Sequence, residues 1–401
     1  MNAALRRKSD GINLFSRASP TAARLFPVAA QNVFVNKVPA MLPLLFSLMM
    51  MGCKTMPGFS HSHYSRFVTV TDFAGFTRTK VSDDETILLS PQIKSHISWN
   101  ELIISWNADA PTGTFVKLEA AAVSRGHQTK FYTIANWSPD GKTFPRTSVR
   151  GQKDDAGKVD TDTLIVNQPA DAAQIRVTLG GTNGALLSLK FLGLSFANTT
   201  IPVAAHAPNR AAWGKIIPTP EHSQHGYPNA KGWCSPTSLS MTLSRWADVL
   251  QRPEMNLTVP EVAAKVYDAD FAGTGNWPFN TAFAGSFPGM RSYVTRLDDL
   301  SEVEDWIAAG IPVILSARWD WLLPGRPLDK DGHLIVCIGF TENGDVVIND
   351  PATRLEKGEV VRRIYKRADV IHSWTKSHNA VYLVYSDSAK IPADKYGHWE
   401  K

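Results

Sequence analysis

Lys231-Gly232-Trp233-Cys234-Ser235-Pro236-Thr237-Ser238 sets one thiol at the threshold of an amphipathic segment. Leu239, Leu243, Trp246 and Leu250 follow at spacings of four, three and four, which is one face of an α-helix. Pro236 suits a first helical turn, where its missing N–H costs nothing. The spacing therefore predicts a helix beginning at Cys234, where unpaired backbone N–H groups and the positive end of the helix dipole favour an anion. A thiol so placed ionises below its free value of about 8.5, and the thiolate is the nucleophile. The same residue also reads as a buried structural thiol.

A nucleophilic thiol needs a base, and the base needs a partner that orients it. His333 opens an apolar strand over 333–340, and Asp350 ends the next one over 345–350. With residues 341–344 as a four-residue connection, Phe340 faces Asp345 and Asp350 faces Ile335. Alternation then puts His333 and Asp350 on one side of the hairpin as diagonal neighbours. A connection of odd length would bring Asn349 there instead; Asp350 is the favoured member. Cys337 lies on the His333 side by parity. It reads as a buried thiol, with a disulfide to Cys234 as the alternative.

Ser223-Gln224, Gly232 to Ser238, Gly332-His333-Leu334-Ile335-Val336 and Asn349-Asp350-Pro351 together resemble the bacteriocin-processing-type cysteine peptidases, more narrowly a secreted bacterial subgroup with a WCSPTS motif. The resemblance covers the second half of the chain and, less specifically, the β-rich first half. It implies a papain-like fold with Cys234 as nucleophile, His333 as general base and acid, and Asp350 as orienter. It also implies Gln224 as an oxyanion-hole donor, although Gln224 stands farther before the cysteine than papain-type spacing, with residues 226–229 inserted between. Those processors are usually fused to transporters and cut after a double glycine. Nothing transporter-like is present here, so that substrate is not carried over.

The rest of the second half reads as α+β, with helices first and strands after. Thr258-Val259-Pro260-Glu261 is a capping box. Residues 273–280 form a Gly-rich loop carrying Trp277 and Phe279. A helix through Leu300, Val303, Trp306 and Ile307 stops at Gly310. Residues 311–317 form a strand and residues 319–332 a long loop with Trp319 and Trp321. Further strands are expected at 359–367 and 380–385. Trp233, Trp277, Phe279, Trp319 and Trp321 are the candidate walls of a substrate cleft.

Between residues 66 and 198 short period-two segments alternate with turn residues, as in Val116, Leu118 and Ala120 or Ile175, Val177 and Leu179. This predicts an all-β sandwich of short antiparallel strands. Trp99, Trp106 and Trp137 read as core aromatics, with a sugar-binding surface as the alternative. Asp160-Thr161-Asp162 reads as a turn, with a calcium site as the alternative. The role and partner of this domain are not legible. Residues 199–220, rich in Pro and Ala, read as a linker, and 221–388 as the peptidase domain.

Residues 1–53 read as a targeting segment, basic at first and then apolar from 38 to 52. The apolar run is short for a transmembrane helix and suits a signal h-region. Met50-Met51-Gly52-Cys53 resembles a lipobox, which would place a lipid on Cys53 and anchor the protein to a membrane; the long region before Lys37 reads as a start codon called too early, with Val35 or Met41 as the true beginning. Across 401 residues the formal charge is only +5, and no basic run interleaves with aromatics, so nucleic acid is not an expected partner. Three scattered cysteines make neither a disulfide framework nor a metal site, and no cofactor is expected. The expected function is an exported peptidase acting on peptides or proteins through a thioester acyl-enzyme. The alternatives are a silent binding module and a cell-wall amidase or transglutaminase-type acyl transferase.

Overall fold

The β-rich half is built on two strands far longer than the sequence suggests. The computed structural model describes residues 64–228, 230–322 and 332–400, so the targeting segment and Cys53 lie outside the described residues. The first half holds β1 (Ser65–Val70), β2 (Thr77–Ser82), β3 (Glu85–Leu89), β4 (Ile93–Asp109) and β5 (Thr114–Ser124). It continues with β6 (His127–Gln128), β7 (Tyr132–Trp137), β8 (Gly157–Asp160), β9 (Thr163–Gly181) and β10 (Ser188–Ala197). β9 pairs with β4 and β8 through its first part and with β3 and β5 through its last, so it passes from one layer to the other. The two layers are thus a sandwich joined through β9. Register breaks in β4 between Lys94 and Glu101 let it bend with its partner.

Leu102, Ile104, Trp106, Leu192 and Leu194 from one layer meet Val116, Leu118, Ile175 and Val177 from the other in a shared core. Trp99, Trp106 and Trp137 all lie in that core, which removes the sugar-surface alternative. Residues 161 and 162 are the two-residue turn of the β8–β9 hairpin. The Asp162 carboxylate accepts from the Trp277 backbone N–H at 2.7 Å and the Thr163 hydroxyl at 3.1 Å, so the turn reading replaces the calcium site.

The second half holds helices α1 (Cys234–Leu250), α2 (Val259–Val266), α3 (Trp277–Ala284), α4 (Leu300–Ala308), α5 (Trp319–Leu322) and α6 (Arg367–Thr375). Its strands are β11 (Met290–Arg296), β12 (Val313–Arg318), β13 (Gly332–Phe340), β14 (Val346–Asn349), β15 (Arg362–Tyr365) and β16 (Ala380–Ser386), and a last short strand β17 (Trp399–Glu400) returns to β1. The sheet order is β11-β16-β12-β13-β14-β15, giving an α+β papain-like domain. α1 lies on this sheet with its small polar residues buried. Ser238 Oγ donates to Leu334 O at 2.9 Å and Trp246 Nε1 to Val384 O at 2.9 Å. Small side chains let the helix axis approach the strands, and each hydroxyl finds a partner, as burial requires.

Several local expectations are corrected. The Gly-rich loop ends at Asn276, whose side chain caps α3 by accepting from Phe279 N, with Pro278 in the first turn. The strand expected over 359–367 is shorter and gives way to α6, a helix whose buried residues are only Val370, Ser373 and Trp374 and whose apolar stripe is correspondingly faint. The loop expected from 319 opens with the single turn of α5. The linker is not a free spacer. Residues 213–217 pair with the end of β13, with Ile217 N donating to Ile338 O at 2.7 Å and Phe340 N to Lys215 O at 3.0 Å. β12 leaves this stretch of β13 unpaired because its ladder stops at Val313, one residue after Pro312, which has no N–H to give.

The two halves form one compact unit. β11 is an edge strand, and the first domain covers it. Asn107 donates to Ser292 O at 2.7 Å and accepts from Ser292 N at 3.2 Å, Ser105 Oγ accepts from Val294 N, and Ser65 Oγ donates to Arg296 O. Side chains thus occupy the edge where another strand would otherwise pair.

Candidate active site

Cys234 is the first residue of α1 and His333 the second of β13; both are buried, at 9% and 4% exposure. The imidazole lies close enough to the thiol to act on its proton and lower its pKa. His333 Nε2 lies 2.8 Å from Asp350 Oδ1, which leaves Nδ1 as the ring nitrogen for the sulfur. The structure therefore brings Cys234, His333 and Asp350 together. Asn349 points away, donating to Thr219 O and Pro220 O at 3.2 Å.

The hairpin reaches this arrangement by a route the sequence does not predict. Phe340 pairs with Val346 and Gly339 with Val347, one residue out of the expected register. A bulge at Ile338 then resets it, so that Cys337 faces Ile348 and Val336 faces Asn349. Past the bulge, Asp350 stands where a four-residue connection would have put it. The bulge is where β13 turns its backbone toward residues 215–217, and a Cβ on Gly339 would sit 2.1 Å from Lys215 O.

The electrostatics follow from these contacts. Burial opposes charge on the Cys234 thiol, but His333 and the N–H groups of Leu334 and Ser235 outweigh it and lower its pKa. Burial likewise opposes the His333 imidazolium, yet Asp350 and Cys234 push its pKa up to about 9. Against its own burial, Asp350 is held below the ordinary carboxyl range by His333, by the Tyr365 hydroxyl 2.5 Å from Oδ2, and by the Ala352 N–H at 2.9 Å from Oδ1. The two shifts run in the direction that favours a thiolate–imidazolium pair. Trp319 stands edge-on to the His333 ring at 4.5 Å and screens it. Cys337 is apart from this set: it forms no disulfide, and burial pushes its thiol up to about 12.

Gln224 reaches the same cleft through Gln224 N donating to Pro351 O at 2.8 Å and Ser223 Oγ to Thr353 O at 2.6 Å. The turn that carries Asp350 therefore also carries Gln224. Its side-chain oxygen is buried with no partner among the described residues.

A cleft of about 1130 Å³ opens in front of Cys234 and His333, lined among others by Trp233, Trp277 and Trp319. Two expected wall residues are elsewhere. Phe279 is fully buried in the β-domain core against Trp106, because it lies two residues into α3 on the face turned to β4. Trp321 packs on His372 of α6 at 4.4 Å and under Lys376, the residue that caps that helix. The sequence reading missed that the first domain builds part of the cleft, with Glu101, Asp160, Thr161, Asp162, Thr163 and Ile165 among its lining. It also missed Tyr365 beside Asp350; Tyr365 lies within the expected strand, but no spacing rule singles it out.

The Peptidase C39 N-terminal domain matches residues 58–196, and the Peptidase_C39 like family matches residues 216–382. The chain belongs to the C39-like peptidase family. Among solved structures, a putative C39-like peptidase from Bacillus anthracis is 17% identical, with 44% of this chain and 99% of that one covered and a TM-score of 0.33. An endo-1,4-beta-D-xylanase 10B of Clostridium thermocellum is 9% identical, with 39% and 33% covered and a TM-score of 0.14. No curated protein matches the chain. C39-like membership suits a cysteine peptidase fold and says nothing of this member's substrate.

Proposed function

We propose that this protein is an exported cysteine peptidase that hydrolyses peptide bonds through Cys234, His333 and Asp350. The observation that carries the reading is the Cys234 thiol sharing one cleft with an imidazole, which lowers its pKa and is itself held at Nε2 by a buried carboxylate. The Cys234 thiolate attacks the substrate carbonyl carbon, and the tetrahedral oxyanion takes hydrogen bonds from the Cys234 N–H and the Gln224 amide. The His333 imidazolium protonates the departing amine as the C–N bond breaks. His333, now neutral, takes a proton from water as that water attacks the thioester, and the acid product leaves with the thiol restored. Tyr365 and Ala352 fix the Asp350 carboxylate, which in turn fixes the ring. The basic leading segment, the apolar run after it and Cys53 support export and lipid attachment.

Cleavage of a mixed peptide library tests the reading. Wild-type protein is expected to cut, while Cys234→Ala and His333→Ala do not. Turnover retained in Cys234→Ala excludes the nucleophile. Cleavage by neither protein, with Cys234 still labelled by a thiol reagent, returns the chain to the class of silent binding modules. Release of stem peptides from peptidoglycan in place of library cleavage identifies an amidase.

A further inference from the structure

We propose that the tip of the β8–β9 hairpin, Asp160 and Thr161, is a substrate-selecting wall of the cleft, and that it favours a polypeptide presenting a lysine or arginine side chain there. The inference deepens the peptidase reading and rests on it for the substrate being a polypeptide. Both residues line the same cavity as Cys234 and His333, although they belong to the other domain.

The wall is fixed rather than loosely apposed. Asp162, 6% exposed, accepts from the N–H of Trp277, the first residue of α3, and Trp277 is itself a lining residue. Arg146 Nη2 donates to Ala264 O at 2.6 Å, Ala269 N donates to Arg146 O at 2.9 Å, and Ser148 N donates to Asp268 Oδ1 at 3.0 Å. These bonds tie the first domain to α2 and to the loop between α2 and α3, whose Phe271 and Gly273 also line the cleft.

Thr161 holds φ at +56°, a left-handed conformation that a β-branched residue adopts only at a cost. A glycine or asparagine would suit the fold of this turn better, so the threonine side chain at the cleft surface is not explained by folding. Among the described residues, Asp160 is the acid on this wall that no strong contact occupies. Glu101 is bound to Arg296 and His378, and Asp162 to Trp277. Among the described residues Asp160, 65% exposed in its side chain, meets only Lys158 at 3.4 Å, a surface pair of the kind that contributes little. Its charge therefore faces the cleft available to a cation, with the aromatic rings of Phe271 and Trp277 lining the same cleft for an alkyl stem.

The test uses full-length protein carrying Cys234→Ala, so that binding is read without turnover. Retention of a mixed library of lysine-, arginine- and glutamate-bearing peptides is compared for this protein and for the same protein with Asp160→Lys. We expect retention of the cationic peptides to fall about tenfold relative to the glutamate peptides, and the difference to shrink in high salt. In the Cys234-intact protein, Thr161→Gly is expected to change the cleavage profile while melting no lower than wild type. Superposable retention profiles, or no peptide retained by either protein, overturn the proposal. A reversed preference in binding without any cleavage by the Cys234-intact protein upholds it and sinks the peptidase reading instead.

Discussion

The Tyr365 hydroxyl donates to Asp350 Oδ2 at 2.5 Å, and both residues are buried. The carboxylate that orients His333 is thus held from both sides, since Oδ1 is taken by the imidazole and by Ala352 N. Tyr365→Phe removes one donor to a buried charge, a loss of about 1.5–3 kcal/mol. We expect kcat to fall about tenfold with KM nearly unchanged, because the phenol touches no substrate. Steady-state kinetics on a peptide found in the library screen check this, and an equal loss in KM would place Tyr365 in binding instead.

The pH dependence follows from the pair of shifts. Cys234 is lowered, so the thiolate persists on the acid side, while His333 keeps its proton until about pH 9. Alkylation of Cys234 by iodoacetamide should therefore remain fast well below the free thiol value, and peptide hydrolysis should fall as pH rises through about 9, when the leaving amine loses its acid. A hydrolysis profile still rising above pH 9 contradicts the ion pair.

Gln224→Ala should lower kcat about 10²–10³-fold, the usual loss for one oxyanion donor, and leave Cys234 alkylation intact. Wild-type turnover in this variant would leave Gln224 a loop residue with no part in catalysis.

His398 anchors the C-terminal segment. Its Nε2 lies 3.0 Å from Glu302 and 3.7 Å from Asp298, its Nδ1 faces Ser65, and although burial works against its charge, these acids push its pKa up to about 9. The folded value is raised above the unfolded one of about 6.5. The stabilisation is therefore complete below about pH 6.5 and is lost as pH rises through 9. His398→Ala takes the partner ring from the buried Glu302, while Asp298 keeps His206 at 2.9 Å, and should cost about 3–5 kcal/mol in urea unfolding at pH 7. A variant as stable as wild type would show that the tail is not a latch.

Gly285 is packed against Asn107, and a Cβ there would stand 1.9 Å from Asn107 Nδ2. Gly285→Ala should expel the Asn107 amide from Ser292 and bare the β11 edge. We expect about 1–3 kcal/mol of lost stability and concentration-dependent association, read by urea unfolding and light scattering. Asn107→Ala should reproduce both effects.

Much of this site could be read from the chain because its parts obey local rules. Pro236 and the Leu239–Leu243–Trp246 stripe announce the α1 helix, and alternation along 333–340 announces the strand. What could not be read depends on contacts between distant segments. The shifted pairing at Phe340 and the bulge at Ile338 are two departures that cancel, and both are imposed by residues 213–217 lying against β13. Phe279 looked like its neighbour Trp277, but one turns to the cleft and the other into the sandwich, a choice made by how α3 meets β4. Asp162 gave no sign that its carboxylate cradles an amide 115 residues away. The role of the first domain was illegible for the same reason.

The pairing of residues 213–217 with β13 also decides where this polypeptide can be divided. A fragment beginning at residue 221 would start just inside the motif-bearing region, yet it would strip Gly339 and Phe340 of their neighbours on one side. The hairpin that carries Asp350 would then be free to slip by one position, delivering Asn349 to the imidazole in its place. An isolated catalytic half that expresses well and does nothing would be the signature of that slip.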